Sequence, residues 1–280
     1  MRRVKKIVHY PLQEKKNWQG QGVTVVVMDT GIAFHPEFQN REIIFRDFIN
    51  GRKEMYDDNG HGTHVCGILG GSNIGIAPRC TMIVLKVLDM MGNGDMVYSM
   101  KGFRWILENQ EKYNIRIVNI SMGMKPGANL LGENRILNGV DTLWDMGIIV
   151  VAAAGNLGPL EGSITIPGRS KKIITVGSSD ILKSGRGAKD LEMYKPDLVA
   201  PGANILSCCT NWRNGQLYIR KSGTSMSAPI VSGAAALLLS KEPNLTNEDV
   251  KYRLKTGCDN LGMSIFRQGK GCLNVKNLMQ

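Results

Sequence analysis

No stretch of this 280-residue chain approaches the roughly 18 consecutive apolar residues of a membrane-spanning helix. The opening MRRVKKIVHYP begins basic but offers only Ile7-Val8 where a secretory leader needs an apolar stretch, so export by the usual signal is not expected. Cysteine is sparse. Cys66, Cys80, Cys208, Cys209, Cys258 and Cys272 are too few for a disulfide scaffold and lack the C-x-x-C spacing of a zinc site, which leaves free thiols in a reducing cytoplasm as the expectation. Aromatic residues are sparse, 6% of the chain, among the basic ones that give a net charge of +11. That excess comes partly from Arg2, Arg3, Lys5 and Lys6 near one end and Lys251, Arg253 and Lys255 near the other. It reads as a solvated surface, with neither nucleic acid nor membrane as partner. Repeats, low-complexity segments and linkers are absent too.

What is present suits one compact unit over 1–280, with residues 1–20 as an N-terminal arm. The chain is 42% hydrophobic with 33 glycines, enough for a large core with many turns. Apolar runs at Val23 to Met28, Thr81 to Leu88, Ile117 to Ser121, Ile148 to Ala153 and Ile173 to Val176 predict strands. Helical patterns alternate with them: Met96, Met100, Phe103 and Leu107 recur at helical spacing, and a second helix covers about Leu131 to Met146. The alternation predicts an α/β fold, a mostly parallel central sheet with helices on both faces.

Three strings carry the chemistry: VVVMDTG ending at Gly31, NGHGTHVCG from Asn59 to Gly67, and SGTSMSAP from Ser222 to Pro229. They supply an acid, a base and a nucleophile as Asp29, His61 and Ser225. A hydroxyl is a weak nucleophile at neutral pH and needs an imidazole held in the right tautomer by a carboxylate. Asp29 follows a predicted strand, and Thr30-Gly31 turns the chain so that the carboxylate sits at the sheet's C-terminal edge. Other chemistries fit less well. An aspartic peptidase needs a second Asp-Thr-Gly, and the chain has one. His61 and His64 are spaced by three, without the glutamate of H-E-x-x-H or an evident third ligand. Gly-Thr-Ser-Met-Ser fails the G-x-S-x-G elbow, and both partners precede Ser225 in the chain.

Taken together, these residues resemble the subtilisin-like serine peptidases (subtilases). Further strings match: NIGIAP at Asn73, LKVLDMMGNG at Leu85, VNISMG at Val118, VVAAAGN at Val150, KPDLVAPG at Lys195 and GKGCLNV at Gly269, so that the likeness covers about Gly22 to Leu278. It implies a three-layer fold and cleavage of peptide bonds in extended segments of protein or peptide substrates, through an acyl-enzyme. In that family the acid, base and nucleophile come in this chain order. It assigns Asn156 as oxyanion donor, a role whose loss costs on the order of 100- to 1,000-fold in turnover; read alone, Asn156 is a turn residue after Gly155. It assigns peptide pairing to Gly92-Asn93-Gly94 and Ser121-Met122-Gly123. The wall of the pocket for the residue before the cleaved bond falls to Ala153-Ala154-Gly155, with Leu157 and Thr165 near its base. No carboxylate stands there, so an apolar residue is expected in it.

Three departures from secreted relatives stand out. Only Gly70 to Ile74 separates the His helix from the G-x-A-P turn, too short for the calcium loop of those relatives, so no metal residues are assigned. No cofactor is expected to be required, which leaves room for weak calcium binding elsewhere. No pro-domain is visible: either it was removed before residue 1, as in a secreted form, or the protein is an intracellular, cytoplasmic type. Cys66 stands where many relatives have alanine and is expected beneath His61 as a small buried hydrophobe, where bulky thiol reagents would inactivate the enzyme. The alternative function is a catalytically silent member of the fold used for binding or as a scaffold.

Overall fold

The computed structural model describes residues 1–11, 18–127 and 129–280. Part of the N-terminal arm, residues 12–17, lies outside them. Seven parallel strands form the central sheet: β1 Thr24–Asp29, β2 Ile43–Asp47, β3 Thr81–Lys86, β4 Ile115–Ile120, β5 Ile149–Ala153, β6 Ile174–Ser178 and β7 Leu198–Ala200. Their order is β2-β3-β1-β4-β5-β6-β7. A separate antiparallel hairpin joins β8 Ile205–Cys208 to β9 Tyr218–Lys221. The helices are α1 Arg2–Ile7, α2 His61–Gly70, α3 Met96–Tyr113, α4 Leu130–Asp145, α5 Thr224–Lys241, α6 Asn247–Thr256, α7 Ile265–Gln268 and α8 Val275–Leu278.

The α/β expectation holds. The strands of β1, β5 and β6 are buried along their whole length, as a sheet covered on both faces requires. Helices α2 and α5 pack on each other, with α5 crossing β4 to β7, while α3 and α4 pack as a second pair against β1, β4 and β5. Almost every residue of α5 is buried, which its Ala228, Gly233, Ala234, Ala235 and Ala236 make possible by letting the backbone lie close to its neighbours. Three strand ends differ from expectation by two residues, β6 running on to Ser178, and several others by one. β3 stops at Lys86, because the N–H groups of Val87 and Leu88 both turn to the carbonyl of Asp29. β4 begins two residues earlier than its apolar run suggests, at Ile115.

The chain runs from β1 to one side of the sheet, returns, and continues to the other from β4. The crevice between β1 and β4 is therefore where a ligand site is expected in an open parallel sheet.

Candidate active site

Asp29 ends β1 and is fully buried. Its Oδ1 accepts the N–H of Thr30 (2.8 Å) and lies 2.7 Å from His61 Nδ1. This contact fixes the imidazole tautomer with the proton on Nδ1 and leaves Nε2 free to act as base. Burial opposes protonation of His61, but the charge and hydrogen bond of Asp29 outweigh it, so the imidazole pKa lies above its ordinary 6.5.

His61 opens α2, and the turn before it is built on the Asp57 carboxylate. Asp57 accepts hydrogen bonds from the N–H groups of Gly60 (2.8 Å), Asn59 (3.1 Å) and Thr63 (2.8 Å), and from the hydroxyls of Thr63 (2.7 Å) and Thr30 (2.8 Å). Burial alone would raise the Asp57 pKa; these donors reverse the effect and hold it below the ordinary 3.8. The Thr30 hydroxyl also accepts the N–H of Gly62 at 2.8 Å, stitching the acid's turn to the base's helix. A Cβ on Gly62 would fall on the carbonyl oxygen of Gly31, and one on Gly31 (φ +119°) would fall on that of Tyr56. D-T-G and H-G-T thus place glycines where two backbones touch. The buried Lys86 ammonium holds the same turn through the carbonyls of Thr30 (2.7 Å) and Leu88 (2.9 Å) and the carboxylate of Asp58 (2.7 Å).

Ser225 is the second residue of α5, where its N–H has no intrahelical acceptor. Asn156 is anchored to the residue before it: its Oδ1 accepts the N–H of Thr224 at 3.0 Å, and the Thr224 hydroxyl accepts the N–H of Gly155 at 3.1 Å. With the oxygen occupied, the Asn156 NH2 is left as a donor beside Ser225, and Gly155 supplies the φ of +88° that the turn needs. A hydrogen-bonded chain, Ser232 to Asn119 (2.9 Å), Asn119 to Ser121 (2.9 Å), Ser121 to the carbonyl of Ser225 (3.0 Å), ties α5 to β4 behind the nucleophile. His61 and Ser225 line one cavity of about 850 Å³. No hydrogen bond joins them here, which is common before substrate tightens such a site.

The cavity is also lined by Gly92, Gly94, Ser121, Met122 and Gly123, with Leu88, Met96, Met124, Ile136 and Ile166 supplying an apolar floor. Several expected residues are differently placed. Asn93 is not in the lining: its N–H and carbonyl are spent on Asp89 within the turn. Ala153 and Ala154 are buried in the wall behind it, the latter bonded to Val176 and Thr165. Leu157 is not at a pocket base but 46% exposed, because the chain turns outward after Asn156. Thr165 is buried between Gly123 and Gly155, in contact range of any Cβ on either, and is not among the cavity-lining residues. His64 faces away, donating from Nε2 to the carbonyls of Ile205 (3.0 Å) or Ile219 (3.2 Å); burial drops its pKa to about 3.

The loop after α2 is closed by a carboxylate rather than by a cation. Glu37 sits inside it and accepts hydrogen bonds from the N–H of Asn73 (2.7 Å) and the hydroxyl of Tyr218 (2.6 Å), with longer ones from the Asn73 amide and Ile74 N–H. Both carboxylate oxygens face hydrogens, so this loop does not fit a cation. Among the described residues no cluster of three or more His, Cys, Asp or Glu side chains could hold a metal.

A parallel α/β sheet with a buried carboxylate, an imidazole and a serine hydroxyl gathered at its switch point defines a serine hydrolase. Comparison with known proteins makes it specific: residues 20–271 match the model of the subtilase family, and the chain belongs to that family. It is a subtilisin-like serine peptidase. It is 37% identical to the serine protease AprX of Bacillus subtilis over 92% of this chain and 66% of that protein. Against subtilisin DY of Bacillus licheniformis it is 34% identical, over 95% of this chain and 94% of that one. A crystal structure of a cold adapted subtilisin-like serine proteinase superimposes with a TM-score of 0.77 at 30% identity, covering 92% of this chain and 90% of that one.

Proposed function

We propose that the protein is an active endopeptidase that cleaves extended polypeptide segments through an acyl-enzyme. The observation that carries this reading is the 2.7 Å Asp29–His61 contact sharing a cavity with Ser225, beside an Asn156 whose oxygen is already taken. Ser225 Oγ attacks the scissile carbonyl carbon while its proton passes to His61 Nε2. The oxyanion that forms accepts hydrogen bonds from Asn156 Nδ2 and the N–H of Ser225. As the C–N bond breaks, His61 returns that proton to the leaving amine, and water then hydrolyses the ester by the same proton route. Asp29 keeps the ring oriented and stabilises its charged form.

An apolar residue is proposed before the cleaved bond, since Leu88, Met96, Met124, Ile136 and Ile166 line the cavity and Asp95, the carboxylate among its lining residues, is engaged by the N–H of Val97 as the cap of α3. A peptide-library profile dominated by Arg or Lys there would overturn this. The unpaired state of all six cysteines supports work in a reducing, cytoplasmic setting, and the occupied Glu37 supports activity without a cofactor. A serine-directed phosphonate tests the central claim: the wild type should be labelled and Ser225→Ala should not. A folded wild type that stays unlabelled would favour the silent scaffold.

A further inference from the structure

Lys86 interrupts an apolar run, with Met82-Ile83-Val84-Leu85 before it and Val87-Leu88 after it, and its side chain is fully buried. It ends β3 beside the acid. In the sheet register it stands opposite Asp29 of β1 on one side and Asp47 of β2 on the other. An ammonium carries three hydrogens, and here each meets an oxygen from a different segment around the cleft. The carbonyl of Thr30 (2.7 Å) belongs to the turn that follows the acid. The carboxylate of Asp58 (2.7 Å) belongs to the turn that leads into α2 and the base His61. The carbonyl of Leu88 (2.9 Å) belongs to the cleft wall, since Leu88 lines the cavity and bridges to Gly94. Among the described residues Asp58 is the one carboxylate within ion-pair distance, and the Tyr56 ring lies 5.1 Å from the ammonium.

These bonds close a circuit through the catalytic pair. The N–H of Leu88 donates to the carbonyl of Asp29, the N–H of Thr30 donates to its carboxylate, and Thr30 Oγ1 accepts the N–H of Gly62 beside the base. A shift of the Thr30 or Leu88 carbonyl therefore moves acid, base and the strand at Gly94 together. Burying an ammonium is a poor means of stabilising a fold, because its desolvation offsets most of what pairing returns, and an apolar side chain of similar length fills the space without that cost. What an apolar chain does not supply is three hydrogen bonds that fix one geometry.

Resting on the endopeptidase reading, we propose that Lys86 is a positioning residue for peptide cleavage. Its ammonium holds the acid's turn, the base's turn and the substrate-facing strand in one register, with Asp58 as its counter-charge. Loss of the charge therefore lowers kcat and raises KM together, unlike loss of an oxyanion donor.

The test is chemical rescue. Lys86→Ala leaves a cavity facing the three oxygens, and propylammonium carries the atoms that the truncation removes. Rates on a peptide anilide are measured at about pH 8, where an alkylammonium is charged as lysine is. Lys86→Ala and the near-isosteric Lys86→Met, each checked for folding by circular dichroism, should lose about 10- to 100-fold in kcat/KM, as expected when reacting groups shift by about an ångström. Propylammonium should return about fivefold or more to Lys86→Ala, propanol at the same concentration should return nothing, and neither should alter the wild type. Asp58→Asn, at a side chain 35% exposed, should show the same joint change in kcat and KM to a smaller degree. If Lys86→Ala does not fold, Lys86→Met and Asp58→Asn carry the test. Constants within about twofold of wild type in a folded Lys86→Met, or a loss confined to kcat or to KM, overturn the proposal. So do unchanged constants in Asp58→Asn, and so does a folded Lys86→Ala that answers propylammonium and propanol alike or answers neither. Each of these results leaves the peptidase reading intact, whereas a folded wild type that cleaves no peptide overturns both.

Discussion

Asn156 holds Thr224 with its oxygen and offers its nitrogen to the substrate, so its two ends carry separable roles. Asn156→Ala should lower kcat by about 100- to 1,000-fold with a small change in KM, measured on a peptide anilide. The pH profile follows from the acid–base pair. Catalysis needs a neutral imidazole, and Asp29 holds the His61 pKa above 6.5, so kcat/KM should fall as pH drops through a value above 6.5. Asp29→Asn removes the cause: the imidazole pKa, read by NMR titration, should drop, and turnover should fall by about 10⁴-fold. Cys66 is fully buried near Asp29 and Asp57, and burial with those charges pushes its thiol pKa well up. A mercurial should inactivate the enzyme slowly, at the rate of local opening, and Cys66→Ala should be resistant. Full activity after proven modification of Cys66 would contradict its position under the catalytic pair.

At the scale of elements, the site depends on how closely α2 docks against the end of β1. Gly62→Ala should abolish most activity in a protein that still folds, because the added carbon displaces His61 from Asp29. Asp57→Asn should destabilise by roughly 1–3 kcal/mol near pH 7. With its folded pKa below 3.8, Asp57 contributes stability above that value which is lost as pH falls through the folded one. The Tm gap between wild type and Asp57→Asn should therefore narrow as pH is lowered below about 4. Asp29, His61 and Ser225 were legible because each sits in a short string whose order is informative, whereas Asn156 was singled out only through the family resemblance. The central strands were legible as apolar runs. Asp57, Thr224 and the Ser232–Asn119–Ser121 chain were not, since a polar residue in a polar loop, or one hydroxyl in a buried helix, gives no periodic signal. Strand β9, Tyr-Ile-Arg-Lys, has too few apolar residues to read as a strand, and β7 is only three residues long. Asn93 and Leu157 lie outside the cavity lining for one reason: family position gives the segment of chain, but the turn decides which groups remain free.

For the whole molecule, the loop after α2 closes on a carboxylate already satisfied by protein donors. Chelation should shift the Tm by less than about 2 °C, as scanning calorimetry with and without a strong calcium chelator would show. A large loss would point to a cation site elsewhere in the molecule. Glu37→Gln should cost more than chelation does, since it weakens the acceptor that Asn73 and Tyr218 share.

The first and last turns of the chain meet. The carbonyl of Val8 accepts the N–H of Val275, and α1 is further held where Arg3 reaches Asp180 and the carbonyl of Ala203. Among the described residues, neither segment lines the cavity. The segments around Val8 and Val275 therefore lie side by side, and a short linker would join them while a new opening is cut in an exposed loop. Such a permuted enzyme would carry its junction away from the residues that line the cleft.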